Sequence, residues 1–457
     1  MQEPDQPQDQ DGYELDDQLL PQVRLALAAG DRARLLVLFE PLHPADIADL
    51  LEQMDSGPRR ELLLLAADLI GGEVLSEISE GLREEIIEFL PEKVLSEAVR
   101  DLDSDDVVDI LEDLEEPRQE ALLEALDDAD RAVVEQSLSY PEDSAGRLMQ
   151  REVVMAPEHW TVGEAIDFLR ASDDLPEQFY HVILVDPRMR PTGYVTLGRL
   201  LGSKREVKLN TITEDSFRVI PASQDEGEVA YAFNQYHLIS APVVDENERL
   251  VGVITMDDAM IVLDQEHEED ILRLAGVNEG SLSDRVIATT RRRFPWLFVN
   301  LITAILASLV IAQFDAAIAQ LVALAVLMPI VASMGGNAGT QSLTVAVRSI
   351  ATKDLTGANV WRVIRRECLV GLVNGVIFAV VMGVVGVLWF GSPSLGAVIA
   401  AAMVINMIVA GLAGTIIPVI LERFGIDPAL ASGAFVTTVT DVVGFFAFLG
   451  LAAAVLL

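Results

Sequence analysis

Charge and hydropathy divide this chain in two. From Arg291 onward there are 9 Lys and Arg, 6 Asp and Glu, and five apolar runs, near 296–314, 320–346, 369–390, 396–421 and 429–456. About 20 apolar residues suffice to cross a bilayer, so each run is long enough to span one. Residues 1–290 instead hold 23 basic and 66 acidic side chains, a net charge of −43. The expected organisation is an acidic soluble part followed by a helical membrane part. An acidic excess of this size excludes nucleic acid as a partner, because phosphate contacts need Lys and Arg. It favours cations. The single Cys368 excludes an internal disulfide and fits a reducing compartment. The start, Met1-Gln2-Glu3-Pro4-Asp5, has no basic n-region or apolar h-region, so no signal peptide is expected.

Arginines set the expected orientation. Arg291-Arg292-Arg293 precede the first run, and Arg348, Lys353, Arg362, Arg365 and Arg366 lie between the second and third. The first-to-second link has only Asp315, and Gly391-Ser392-Pro393-Ser394 has no charge. The positive-inside rule then puts the N-terminal part in the cytoplasm and, with five spans, the C-terminus outside. A break in the long second run would change the count to four or six.

Residues 1–18 are Gln-, Asp- and Pro-rich and read as a disordered tail. Residues 19–140 read as an acidic domain of short amphipathic helices. The stretch from Leu42 to Glu52 is echoed sixty residues on, from Leu102 to Glu112, as in a solenoid. Its acids are either solvated surface or cation ligands. Residues 141–262 change to short β-rich runs between helices. His181-Val182-Ile183-Leu184-Val185-Asp186 leads to Gly193-Tyr194-Val195-Thr196, and Ala241-Pro242-Val243-Val244-Asp245 leads to Gly252-Val253-Ile254-Thr255, at a constant offset of 59. This tandem repeat resembles the CBS-domain pair. That resemblance implies an adenine nucleotide site, with an Asp three residues after the repeat's Thr on the ribose. The second copy has Thr255 and Asp258, whereas the first has Thr196 and Arg199. A sensor that binds metal alone is the competing reading.

Asp257, Asp258, Asp264, Glu266, Glu268, Glu269 and Asp270 follow. On a helix Asp258 and Glu266 share a face, as do Glu266, Glu269 and Asp270. Like charges at such spacings destabilise the helix, and a divalent cation would relieve them. A plain solvated face is the alternative. Residues 263–294 read as a connecting helix that ends in Arg291–Arg293 and the interfacial Phe294-Pro295-Trp296.

Within the membrane part, Asp441 is the only charged side chain from Pro428 to Leu457. A carboxylate at mid-bilayer costs about 2.5–3.5 kcal/mol on insertion scales, which makes it a functional candidate. Thr437 shares its face. Met328-Pro329-Ile330 and Gly335-Gly336-Asn337-Ala338-Gly339 are expected to break or loosen the second span. Freed carbonyls and Asn337 would then suit a hydrated cation. The alternative is close packing through Gly335 and Gly339. Asn406 in the fourth span is interhelical glue or a pore wall.

Gly335-Gly336-Asn337-Ala338-Gly339-Thr340-Gln341, Asn406-Met407 and Thr440-Asp441-Val442-Val443-Gly444, behind a CBS pair and an acidic helical domain, resemble the MgtE magnesium channel family. The resemblance covers nearly all of the chain after residue 19. It implies an α-helical membrane protein with five transmembrane helices per subunit (residues 295–457), preceded by an all-α superhelical N-domain and an α/β tandem CBS pair. It implies a homodimer in a lipid bilayer and a central Mg²⁺ path. Asp441 would be the principal site, helped by Asn337, Asn406, Gly336 and Thr437. It further implies a cytosolic Mg²⁺ sensor closing the path through the connecting "plug" helix. Regulatory ligands would be Asp225, Asp257, Asp258, Glu266, Glu269 and Asp270, faced by Asp105, Asp106 and Asp109, with ATP a further ligand of the CBS pair at Thr255 and Asp258. Ile261 stands where the family often has another acid, which argues for a weaker regulatory site there.

One other class remains open on the sequence. A CBS-gated, proton-coupled transporter of another substrate would use Asp441 as its proton site. An enzyme is not expected, since His43, His159, His181, His237 and His267 all lie in the soluble part without metal-ligand spacing.

Overall fold

The computed structural model describes residues 18–457, apart from 101, 113, 115, 125, 173–174, 177, 215–216, 278–285 and 356. The expected tail, residues 1–17, lies outside the described residues. The chain forms two compact units, 1–266 and 267–457.

The first unit opens with short helices: α1 (Leu19–Ala29), α2 (Arg32–Phe39), α3 (Pro44–Glu52), α4 (Ser56–Ala66), α5 (Gly72–Ser76), α6 (Glu80–Phe89), α7 (Glu92–Arg100), α8 (Ser104–Glu112), α9 (Glu116–Leu123) and α10 (Asp128–Leu138). Their starts are chemically marked. His43 Nδ1 accepts from Ala45 N, Asp46 accepts from His43 N, and Pro44 pre-sets the first helical φ. Packing runs between alternate helices: α3 on α5, α5 on α7, α4 on α6, and α8 on α10. Leu35, Leu50, Leu51, Leu62, Ile86, Ile110 and Leu111 fill one continuous core. Buried arginines tie successive layers, Arg59 to Glu85 at 3.4 Å and Arg83 to Asp109 at 2.5 Å. The sixty-residue echo therefore marks shared helix-start chemistry. It is also the offset of the helices themselves: α1 to α5 are followed in the same order by α6 to α10 about sixty residues on, and α3 on α5 recurs as α8 on α10.

After α11 (Ala145–Leu148) come β1 (Met155–Pro157), α12 (Val162–Ala171), β2 (His181–Val185), β3 (Pro191–Thr196) and α13 (Leu197–Gly202). The second module has β4 (Ile220–Pro221), α14 (Glu226–Tyr236), β5 (Ser240–Val244), β6 (Leu250–Thr255) and α15 (Met256–Leu274). Each sheet has three strands, ordered β1-β2-β3 and β4-β5-β6, the first pair parallel and the second antiparallel. The offset of 59 holds down to the β-bulge, at Leu184/Val185 and again at Val243/Val244. It holds in the hairpins too. Asp186 accepts from the backbone of Arg188 and Arg190, and Asp245 from that of Asn247 and Arg249. The turns close through left-handed Met189 and Glu248, each at φ 63.

The second unit holds α16 (Val286–Ala312), α17 (Asp315–Gln320), α18 (Ala323–Ala351), α19 (Val360–Phe390), α20 (Pro393–Arg423) and α21 (Pro428–Val455). Five of these helices, all except α17, are long and apolar enough to cross a membrane. Two expectations change. The connecting segment is not one helix over 263–294: α15 continues from the CBS module, stops at left-handed Gly276 (φ 71), and α16 begins at Val286 and runs through Pro295. The break expected at Pro329 and the Gly cluster is absent, and α18 is continuous over 29 residues. Gly335 and Gly339 serve packing. A Cβ on Gly339 would meet Val436 Cγ1 at 2.6 Å.

Lipid gives helices no hydrophobic reason to associate, so close backbone approach holds them together. Along the α19–α20 seam, a Cβ on Gly371 would lie 2.5 Å from Met407 O, and one on Gly411 2.6 Å from Glu367 O. Gly411→Ala must therefore push α19 and α20 apart, at an expected cost of about 1–3 kcal/mol. The measurement is the melting temperature in detergent. Gly336→Ala is the control, since an added Cβ there meets nothing within 4 Å. Equal melting for the two variants would remove the seam from this account.

Candidate ion path and acidic sensor sites

The α18–α21 seam is defined by Gly339 against Val436 and Thr440. Successive crossings alternate in direction, so α18 and α21, the second and fifth, run antiparallel. One residue turns a helix by about 100°. One step on from each contact, in antiparallel helices, leads to the same side of the seam. Gly336 and Thr340 of α18 and Thr437 and Asp441 of α21 therefore flank one side. Asn337 stands further round α18. Ser333, Asn337, Thr340 and Thr344 form an exposed polar stripe at helical spacing. Thr437 is exposed, Asp441 half-buried. Neither Asp441 nor Asn337 has a side-chain hydrogen bond or ion pair among the described residues.

The hydroxyls nearby fold back on their own helices. Thr340 donates to Gly336 O at 3.0 Å, and Thr437 to Gly433 O at 2.9 Å. Gly336 thus offers a carbonyl already bonded within its helix, not one freed by a break. Asn406 does not belong to the stripe. It is 1% exposed, and its Nδ2 donates to Val331 O at 2.9 Å. Of the two roles open to it, glue and pore wall, this burial fits glue. Glu367 escaped the sequence reading. It lies on α19, 9% exposed, and accepts from Ser342 Oγ at 3.0 Å. The adjacent Arg365 and Arg366 make the segment read as a loop, which hid it.

In the first unit the acids gather in two places. Asp105 and Asp106 open α8, and Asp258 opens α15 beside the exposed Asp257. Burial raises Asp105 well above the usual carboxylate range, and the charges of Asp258, Asp106 and Asp103 add to it. Burial and Asp258 push Asp106 up to about 7. Burial, with Asp257 and Asp103, pushes Asp258 up to about 6, although Thr255 Oγ1 donates to it at 2.5 Å. Asp103 is thus a further member, signalled only by its place before α8. Asp109 is different, because Arg83 neutralises it.

The second group surrounds Glu226, at the start of α14. Burial pushes it to about 7, with Asp143, Asp225, Glu112 and Glu266 adding repulsion. Asp225 caps α14 by accepting from Glu228 N at 3.1 Å, and Glu266 Oε1 lies 2.6 Å from where a Cβ on Gly227 would stand. Among the described residues, no three carboxylate, His or Cys side chains converge tightly enough to hold an ion directly.

Glu266, Glu269 and Asp270 do not act as one face. Glu269 pairs with Arg273 at 2.5 Å, and Arg273 reaches Asp427 at 3.3 Å. Asp270 is raised by burial and by Asp427. Leu274 packs with Leu343, Val347, Ala429 and Val436. The expected nucleotide residues, Thr255 and Asp258, are joined by their own hydrogen bond. Thr255 lines a cavity of about 20 Å³ between the two CBS modules, with His181 and Ser240 in contact across it. Asp258 is engaged by Thr255 and faces the α8 acids.

Residues 328–451 match the MgtE divalent cation transporter family, 42–143 the MgtE intracellular N domain, and 145–206 and 210–264 the CBS domain. The magnesium transporter MgtE of Bacillus subtilis is 30% identical over 440 residues, covering 96% of this chain and 97% of that protein. The magnesium transporter MgtE of Thermus thermophilus is 33% identical over 444 residues, 96% of this chain and 98% of that protein. Among solved structures, the cytosolic domain of the Mg²⁺ channel MgtE in complex with ATP is 33% identical, covers 53% of this chain and 100% of that one, and superposes at a TM-score of 0.49. Matched along almost its whole length at these identities, the chain belongs to the MgtE family of magnesium transporters.

Proposed function

We propose that this protein carries Mg²⁺ into the cytoplasm along a path between two copies of the chain, with Asp441 as the principal ion site. The observation that carries the reading is the exposed polar stripe of α18 beside the half-buried, unpaired Asp441. Such a face cannot rest against hydrocarbon, so it meets water, protein or both. A second copy on this face would enclose both stripes. Mg²⁺ gives up its waters reluctantly. One carboxylate per subunit, with Asn337 and Thr437 as neutral oxygens, suits an ion that keeps most of its hydration shell. The proposed topology puts the C-terminus outside.

The acidic unit acts in this proposal as a negative-feedback sensor. Its carboxylates at Asp105, Asp106, Asp257 and Asp258, and at Asp225, Glu226 and Glu266, approach one another without forming a tight cage. Hydrated Mg²⁺ would bridge them through water. A cation favours the closed state only through tighter binding there. Glu269, Asp270 and Arg273, near Asp427, are where α15 would act on the membrane unit. ATP at the CBS cleft would need that cleft to open, since nucleotide-sized pockets run to roughly 300 Å³ or more.

Two outcomes test this. Asp441→Asn should abolish most Mg²⁺ influx into proteoliposomes without changing the melting temperature. Wild-type influx from the folded variant would remove Asp441 from the path. The second test is protonic. Asp106, Asp258 and Glu226 have pKa values raised to about 7, 6 and 7 in the packed unit. Free carboxylates titrate near about 4. Packing therefore takes up protons, and its stability falls as pH rises from about 4 through about 7. Mg²⁺ displaces those protons. Adding Mg²⁺ to the full-length protein in weak buffer at pH 6.5 should release protons, with far less release at pH 8.5 and less from Asp258→Asn. Equal release at both pH values would detach the ion from these carboxylates.

A further inference from the structure

Asn406 sits near the middle of α20 with its amide pressed between two other helices. A Cβ on Gly335 of α18 would lie 2.2 Å from its Nδ2, and a Cβ on Gly444 of α21 would lie 2.7 Å from the same atom. Only glycine leaves room on either side. Nδ2 donates to Val331 O, so the side chain is bonded to α18 while it packs against α21. Its Oδ1 is buried and, among the described residues, accepts no hydrogen bond. An apolar side chain of equal volume would fill the same gap and strand no acceptor. What the amide adds is direction: packed apolar surfaces can slide or rotate, and a hydrogen bond to one carbonyl holds a register.

That register bears on the ion path. Gly335 lies two residues before Asn337, and Gly444 three residues after Asp441. At about 100° per residue, the wedge stands on the far side of α18 from Asn337 and next to the Asp441 face of α21, and it fixes the rotation of one helix against the other.

We propose that Asn406 is a positioning residue for ion discrimination, setting Asn337 against Asp441 through the Val331 bond and the two glycine notches, without touching the ion itself. It rests on the reading of Asp441 as the ion site. Supporting residues one layer back from a metal site typically change affinity or activity by about 10–100-fold when replaced.

The test uses the full-length protein in proteoliposomes of fixed lipid composition. Asn406→Leu keeps the branching at Cγ and removes the bond, and Asn406→Asp keeps the shape and removes the donor. Gly444→Ala presses on the amide from the α21 side. Three quantities are read: the ratio of Mg²⁺ to Ca²⁺ flux, the melting temperature, and the rate at which a water-soluble thiol reagent labels Asn337→Cys in a Cys368→Ser background. The expected result is a flux ratio at least about tenfold lower, with a several-fold change in labelling rate, in whichever Asn406 variant keeps the wild-type melting temperature. Gly444→Ala should shift both readouts in the same sense. An unchanged ratio and labelling rate in a folded Asn406 variant would overturn the proposal and leave Asn406 as packing alone. The labelling rate does not depend on Asp441 binding an ion. If Asp441→Asn conducts normally, the ion-site reading fails by itself, and the labelling result still decides whether Asn406 sets the helix register.

Discussion

Hydrocarbon neither hydrogen-bonds nor rewards apolar contact between helices, and the membrane unit is built around that. What remains is close approach of backbones. Gly371 and Gly375 meet α20, Gly396 fits under Gly383 O at 2.7 Å, and Gly414 meets Gly339 O at 2.5 Å, all measured to an added Cβ. These notches determine which face of each helix turns inward. They determine by the same step which face is left over. On α18 the remainder is Ser333, Asn337, Thr340 and Thr344, a polar surface left exposed among the described residues. The candidate path is thus a consequence of packing as much as of polar residues.

The acidic unit works by the opposite physics. There the helices have a conventional apolar core, and charge is what has been forced together. Burial and mutual repulsion raise Asp105, Asp106, Asp258 and Glu226, so the packed arrangement is held against an electrostatic load that protons or divalent cations lift. A load shared among several carboxylates would also suit the proposed sensor. Moving a two-state element from 1:99 to 99:1 takes about a 10⁴-fold preference for one state, which a few modest sites supply jointly more readily than one.

The sequence spoke clearly where the physics is local. Hydropathy located five spanning helices, and the offset of 59 located both CBS modules down to the Asp of each hairpin. It misled where the outcome depended on a neighbour. Pro329 and the Gly cluster ordinarily loosen a helix, but α20 and α21 fill the notches and α18 stays whole. Asn406 could be weighed as glue or wall, and its burial and its bond to Val331 O, which depend on neighbouring helices, favour glue. Glu367 was obscured by the arginines before it, since no periodicity argument finds a carboxylate that a distant Ser342 stabilises. Glu266 and Glu269 share a helical face in principle, yet Arg273 pairs with Glu269 while Glu266 lies beside Glu226.

The two CBS modules carry one further consequence. They agree in strand order, register, bulge and hairpin geometry, and diverge where the last strand of each turns into a helix. In the first, Thr196 leads to Arg199, which is paired with Glu214 at 3.0 Å. In the second, Thr255 leads to Asp257 and Asp258. A duplicated scaffold whose folding instructions lie in its strands and turns leaves its helix entrances free to vary. One copy could settle into an inert, self-neutralised partner while the other acquired exposed acid, so that an ancestral symmetry became a division of labour without the fold being rebuilt.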